Sequence, residues 1–154
     1  MSDAEFAGKI AIVTGGTRGI GLAVARMLVE RGACVVIVGR DQANLDVALT
    51  GLAADGAAVG CRGDIGTAAT ANAAVDTAIA HFGRIDILAN IAGWFPTATV
   101  EDTTDAQYAE TIAANLTGTF LFCRAALPLL RRQPGAAIVN MSSTAARFGT
   151  PGLA

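Results

Sequence analysis

The run Thr14-Gly15-Gly16-Thr17-Arg18-Gly19-Ile20-Gly21 sets glycines at Gly-x3-Gly-x-Gly spacing between an apolar segment and one of helical periodicity. A turn so placed feeds a helix N-terminus, where unpaired N–H groups and the helix dipole can hold a dinucleotide pyrophosphate. Gly15 allows the tight turn, Gly19 lets the backbone approach the phosphates, and Gly21 permits close packing of helix on strand. The spacing differs from the common G-x-G-x-x-G, and no Lys-Ser/Thr pair follows as a P-loop requires. A glycine turn without a ligand is the plainer alternative. The next apolar run ends in Gly39-Arg40, where a site for NAD usually carries an acid that bonds both ribose hydroxyls. A 2′-phosphate would find Arg40 instead, with Arg18 adding charge from the other side, and guanidinium forks suit phosphate. NADP (NADPH) is thereby favoured and NAD stays possible. In the opposing reading both arginines are solvated surface residues and Asp41 takes the role of the acid.

The elements that must position these residues alternate. Ile10 to Val13 reads as a strand buried on both faces. From Ile20, Ala23, Val24, Met27 and Leu28 recur at helical spacing, and Gly32 marks the helix end. Cys34 to Val38 is a β-branched second strand, and Asp41 to Ala54, with Leu45, Leu49 and Leu52, a second helix. Ala57 to Cys61 is a third strand, Gly66 to Phe82 an Ala-rich helix, and Ile85 to Asn90 a fourth strand closed by Ala92-Gly93. Ala106 to Arg132 is the longest periodic stretch, with Ile112, Leu116, Phe120, Leu127 and Leu130 on one side, and Ala136 to Met141 a fifth strand. Such alternation predicts an α/β fold: a doubly wound parallel sheet of about five strands, with right-handed crossovers placing helices on both faces. No repeat, low-complexity segment or linker divides the chain, so residues 1–154 read as one domain. The last segment, Ser142 to Ala154, is loop-like, and nothing after it covers the face or edge that the fifth strand exposes.

Composition narrows the function. The 154 residues are 53% hydrophobic and 16% charged with net charge −2, which suits a domain with a substantial core. Its longest apolar runs, such as Cys34 to Val38, are too short to span a bilayer, so no membrane partner is expected. Basic residues are scattered singly, so nucleic acid is a poor partner. Cys34, Cys61 and Cys123 lack C-x-x-C spacing and His81 is the lone histidine, which argues against a metal site or disulfide framework. The N-terminus shows no basic and apolar signal pattern, and a reducing, cytoplasmic setting is expected.

TGGTRGIG, Asp64-Ile65, Asn90-Ile91-Ala92-Gly93, Asn115-Leu116-Thr117-Gly118 and IVNMSS together resemble the short-chain dehydrogenase/reductase family, in that family's order and from about Gly8 onward. The resemblance implies a Rossmann-type fold whose cofactor site uses Gly15, Thr17, Arg18, Gly19, Ile20 and Gly21. It also implies that Asp64 bonds the adenine amino group with Ile65 beside it, while Asn90, Ala92 and Gly93 line the adenosine and ribose side. The family usually has two asparagines before Ala-Gly; here the second is Ile91. The resemblance further implies hydride transfer between nicotinamide and an alcohol or carbonyl substrate through an Asn-Ser-Tyr-Lys tetrad. Ser143 matches the serine that fixes the substrate oxygen, and Asn115 the asparagine that helps hold a water relay. Read by themselves, Ser143 is a turn residue and Asn115 a helix residue bonding its own backbone.

Tyr108 is the only tyrosine and Lys9 the only lysine, so no Y-x-x-x-K occurs. By the family's spacing the tyrosine would fall just beyond Ala154. The first expectation is therefore the N-terminal portion of an NADP-preferring enzyme of this type, inactive by itself and lacking the family's C-terminal strands and helices. A short noncatalytic dinucleotide-binding or interaction module, or one half of a split enzyme, are the competing readings. Family resemblance implies a homo-oligomer for the complete enzyme, joined partly through Ala106 to Arg132. Trp94, Phe95 and Pro96 form either an apolar wall over the substrate or a satellite cluster under a loop.

Overall fold

A computed structural model describes residues 4–52 and 56–152. Five strands, β1 (Ile10–Thr14), β2 (Cys34–Gly39), β3 (Ala58–Arg62), β4 (Ile87–Asn90) and β5 (Ala137–Asn140), pair in parallel in the order β3-β2-β1-β4-β5. The helices are α1 (Gly19–Glu30), α2 (Gln42–Leu52), α3 (Ala68–Phe82), α4 (Asp105–Ile112) and α5 (Gly118–Leu130). This is the doubly wound parallel sheet expected from the alternation of elements, and the Rossmann-type fold that the resemblance implies.

Local chemistry sets the element ends. Asp41 stays outside α2 because its Oδ1 accepts the Asn44 N–H at 2.8 Å, which caps the helix. The expected end of that helix at Ala53 and Ala54 lies outside the described residues. Helix α3 starts at Ala68 rather than Gly66, because Asp64 Oδ1 holds the Gly66 N–H in a turn and Thr67 caps the helix. Gly83 closes α3 in the left-handed region at φ +78°.

The core has two layers. Helices α1 and α2 cover one face through Ala25, Leu28, Leu45 and Ala48 against Val13, Val35 and Ile37. Helices α3 and α5 cover the other through Ala74, Ala78, Phe122 and Ala126 against Ile12, Val36 and Leu88. Strand β1 is buried throughout, and each fully buried Val or Ile contributes about 1.5–3 kcal/mol relative to exposure. Strand β5 forms one sheet edge and is exposed along its length, Ile138 and Val139 included.

The long helical stretch departs from the expected packing. Between α4 and α5 the residues Ala113–Thr117 form a π-helical turn, in which Gly118 N–H donates to the Ala113 carbonyl five residues back. The added residue rotates the helix, so Leu121, Phe122, Ala126 and Leu130 face the core. Of the five residues that periodicity set on one side, Ile112, Leu116 and Phe120 are exposed, whereas Leu130 is buried. The helical stretch Asp105–Leu130 is also long and apolar enough to match a membrane span by length and composition. Here the buried side of α5 packs on β4 and α3.

Candidate functional site

A cleft of about 350 Å³ opens at the carboxyl ends of the strands, beside the point where β1 and β4 continue the sheet in opposite directions. Open α/β sheets bind ligands at this switch point. Its first wall is the β1–α1 turn, which contributes Gly15, Thr17, Arg18, Gly19, Ile20 and Gly21.

Two of those glycines have distinct geometric duties. A Cβ on Gly21 would stand 2.2 Å from the Gly15 carbonyl oxygen, so only glycine lets α1 begin directly against the turn. Gly19 has φ +54° and nothing within 4 Å of its missing Cβ, which leaves the backbone open to the cleft. Arg18 precedes α1 in an extended conformation without a side-chain cap, and the first turn carries no acid. Helices α2, α3 and α4 are instead capped by Asp41, Thr67 and Thr104.

Thr14 ties the floor together. Its hydroxyl is buried and accepts the N–H groups of Ile91 at 3.0 Å and Ala92 at 3.1 Å, joining the ends of β1 and β4. Gly15 approaches Ala92 so closely that a Cβ would lie 3.0 Å from the Ala92 Cα. Ala92 and Gly93 line the cleft, and a Cβ on Gly93 would lie 2.7 Å from Asn115 Oδ1.

Asp64 and Ile65 form the far wall with Gly63. Arg40 stands at the rim after β2, and its Nη1 donates to Glu110 Oε1 at 3.3 Å. Arg62 Nε donates to the Arg40 carbonyl at 3.3 Å, which steadies the rim. Asp41, the alternative acid, directs its carboxylate to the start of α2.

Three expected site residues lie off the cleft wall. Asn90 is buried below the end of β4; its Nδ2 donates to Asn140 Oδ1 at 2.8 Å, and its own Oδ1 has no hydrogen-bond partner among the described residues. It supports the cleft from beneath. Asn115 sits in the π-helical turn and bonds the backbone of Trp94, rather than its own helix. Ser143 follows β5, where its Oγ accepts the Ala145 N–H at 3.2 Å. Met141 N–H bonds the Asn90 carbonyl, so the segment leading to Ser143 runs beside the end of β4.

Neither Tyr108 nor Lys9 lines the cleft. Tyr108 is exposed on α4. Lys9 lies at the opposite end of the sheet, where its Nζ meets buried Asp86 Oδ1 at 3.3 Å. Burial pushes the Asp86 carboxyl up, but hydrogen bonds from Arg84, the Ile10 N–H and Lys9 outweigh it and hold its pKa below the ordinary value.

Spacing did not reveal Glu110, Ala113 and Ala114, which close the cleft from the α4 side. Small side chains at the π-helical turn explain the approach: Gly66 nears the Ala113 side chain, and a Cβ on Gly118 would lie 3.0 Å from the Ile65 carbonyl. Trp94 does line the cleft, whereas Phe95 beside it is exposed.

Known proteins share this architecture. The family profile described as short chain dehydrogenase matches residues 9–154. D-threitol dehydrogenase of Mycolicibacterium smegmatis is 40% identical over 145 residues, covering 94% of this chain and 56% of that protein. L-fucose dehydrogenase of Oryctolagus cuniculus is 37% identical, covering 96% of this chain and 51% of its own length. The chain thus spans about half the length of these curated relatives. A crystal structure of a short-chain dehydrogenase/reductase, glucose/ribitol dehydrogenase, from Brucella melitensis superposes at TM-score 0.91 with 32% identity, covering 97% of this chain and 62% of that one.

Proposed function

The chain belongs to the short chain dehydrogenase family, and on that footing we propose that its cleft binds NAD(P) for an oxidoreductase that interconverts an alcohol and a carbonyl. The observation that carries this reading is the uncapped start of α1 behind the open Gly19 turn, a fit for a pyrophosphate. Arg40 and Arg18 at the rim favour the 2′-phosphate of NADP, with NAD as the second choice. When bound, the nicotinamide supplies or accepts hydride.

In this reading Asp64 and Ile65 receive the adenine, while Ala92 and Gly93 face the ribose. Asn90 braces that wall from below, and Ser143 turns its hydroxyl from Ala145 to the substrate oxygen. Asn115 positions Trp94 against the cleft. The names of the relatives support a polyol or sugar as substrate class. Three free thiols support a reducing, cytoplasmic setting. The exposed apolar stripe Ile112, Leu116 and Phe120 supports association with a second copy.

The test is a binding titration of the chain with NADPH and NADH, with Arg40→Ala alongside. Saturable binding, weakened for NADPH by the variant, is expected; a folded chain that binds neither nucleotide refutes the proposal. Turnover of D-threitol or L-fucose is not expected from these residues alone, because the sole tyrosine and lysine stand away from the cleft. A serine hydroxyl without an adjacent base is a weak proton donor and acceptor near neutral pH.

A further inference from the structure

The cleft rim carries an acid opposite the arginine that would choose the cofactor. Glu110 comes from α4 and Arg40 from the end of β2, yet both line the same cleft and their side chains meet at 3.3 Å. Both are partly solvated, with 47% of the Glu110 side chain and 59% of the Arg40 side chain exposed, so the contact can open at little cost. A 2′-phosphate arriving at Arg40 would compete with the Glu110 carboxylate for the guanidinium and would lie beside a like charge. A 2′-hydroxyl carries no charge and meets neither penalty.

We propose that Glu110 is a specificity-determining residue that occupies Arg40 in the free protein and lowers its preference for the 2′-phosphorylated dinucleotide. This rests on the nucleotide reading of the cleft. The carboxylate acts as an internal competitor for the guanidinium, which brings the affinities for the two cofactors closer together than Arg40 alone would set them. The Arg62 bond to the Arg40 carbonyl braces the backbone at Arg40, so the Arg40 and Glu110 side chains are the parts that exchange.

The test uses 2′,5′-ADP and 5′-AMP, which differ at the position in question, titrated into the wild-type chain and the variants Glu110→Gln, Arg40→Ala and both together. Glu110→Gln should tighten 2′,5′-ADP by about three- to tenfold, the scale of one exposed ion pair plus one like-charge neighbour, and move 5′-AMP by less than about twofold. In the Arg40→Ala background the gain should shrink, because no guanidinium is left to release. Equal shifts for both ligands, no shift, a weakening of 5′-AMP, or a gain that persists in full without Arg40 would each overturn this inference while leaving the nucleotide site standing. Failure of both ligands to bind the wild-type chain would overturn the nucleotide reading and this inference with it.

Discussion

The side-chain amide of Asn115 is bonded on both sides to the backbone of Trp94, its Oδ1 accepting the Trp94 N–H at 3.0 Å and its Nδ2 donating to the Trp94 carbonyl. A π-helical turn thereby clamps the loop that follows β4. The same carboxamide fills the space that a side chain on Gly93 would need, so the Ala92-Gly93 wall and the turn are fitted as one unit.

Asn115→Ala should release that loop. Trp94 is the only tryptophan, so its emission reports the change directly. The loss of two exposed hydrogen bonds predicts a modest stability cost of about 1 kcal/mol, together with greater acrylamide quenching of Trp94. Unaltered quenching would show that the loop keeps its place without the amide.

Gly21→Ala tests the start of α1. The new methyl would meet the Gly15 carbonyl, which is backbone and cannot swing aside, so the turn itself must move. Overpacking of this kind costs about 1–3 kcal/mol. Thermal unfolding should show that loss, and NADPH binding should fall at least tenfold; wild-type affinity would refute the role of the turn.

Acid should weaken the far end of the sheet through Asp86. Its pKa is lower in the folded protein than in the unfolded chain, so its contribution is complete above the ordinary carboxylate range, about pH 4. That contribution is lost as the pH falls through the lower folded value. Asp86→Asn should remove part of this acid sensitivity. It should also cost about 1–3 kcal/mol at neutral pH, because Arg84 and Lys9 lose a buried partner while staying partly solvated. Denaturant midpoints from pH 3 to 7 would check both effects, and parallel pH curves for wild type and variant would contradict them.

Cys61 should resist alkylation. Burial pushes its thiol up, against a smaller lowering by Thr77, so little thiolate forms at pH 8. Cys34 and Cys123 are only half-buried. Mass spectrometry of the folded chain after iodoacetamide should find Cys61 the least modified of the three, whereas equal labelling would contradict the burial argument.

Where structure depends on neighbours in the chain, the sequence was readable. The β1–α1 junction is an example: a buried β-branched run, a glycine turn and a helical period lie side by side, and glycine spacing alone specifies their tight fit. The parallel orientation of the strands likewise follows from alternating elements, since each helix returns the chain to the same end of the sheet. Caps moved the helix starts by one or two residues, because Asp41 and Thr67 bond back onto the helices that follow them.

Contacts between distant elements were not readable. Arg40 and Glu110 are 70 positions apart, and Glu110 looks like any solvated helix acid until the fold brings it beside the residue that follows β2. The apolar stripe Ile112, Leu116 and Phe120 has an ordinary helical period, but one added residue at Ala113–Thr117 turns it outward and buries Leu121 and Phe122 instead. Asn90 carries a cleft motif in sequence, yet register pairs it with Asn140, and its amide goes beneath the strand. Sequence by itself thus determined which elements form and where the glycine turn between β1 and α1 must stand, because those depend on local backbone geometry and burial. Tertiary structure alone decided which side chains face the cleft, because helix phase, strand register and long-range charge pairing arise only when separate elements pack.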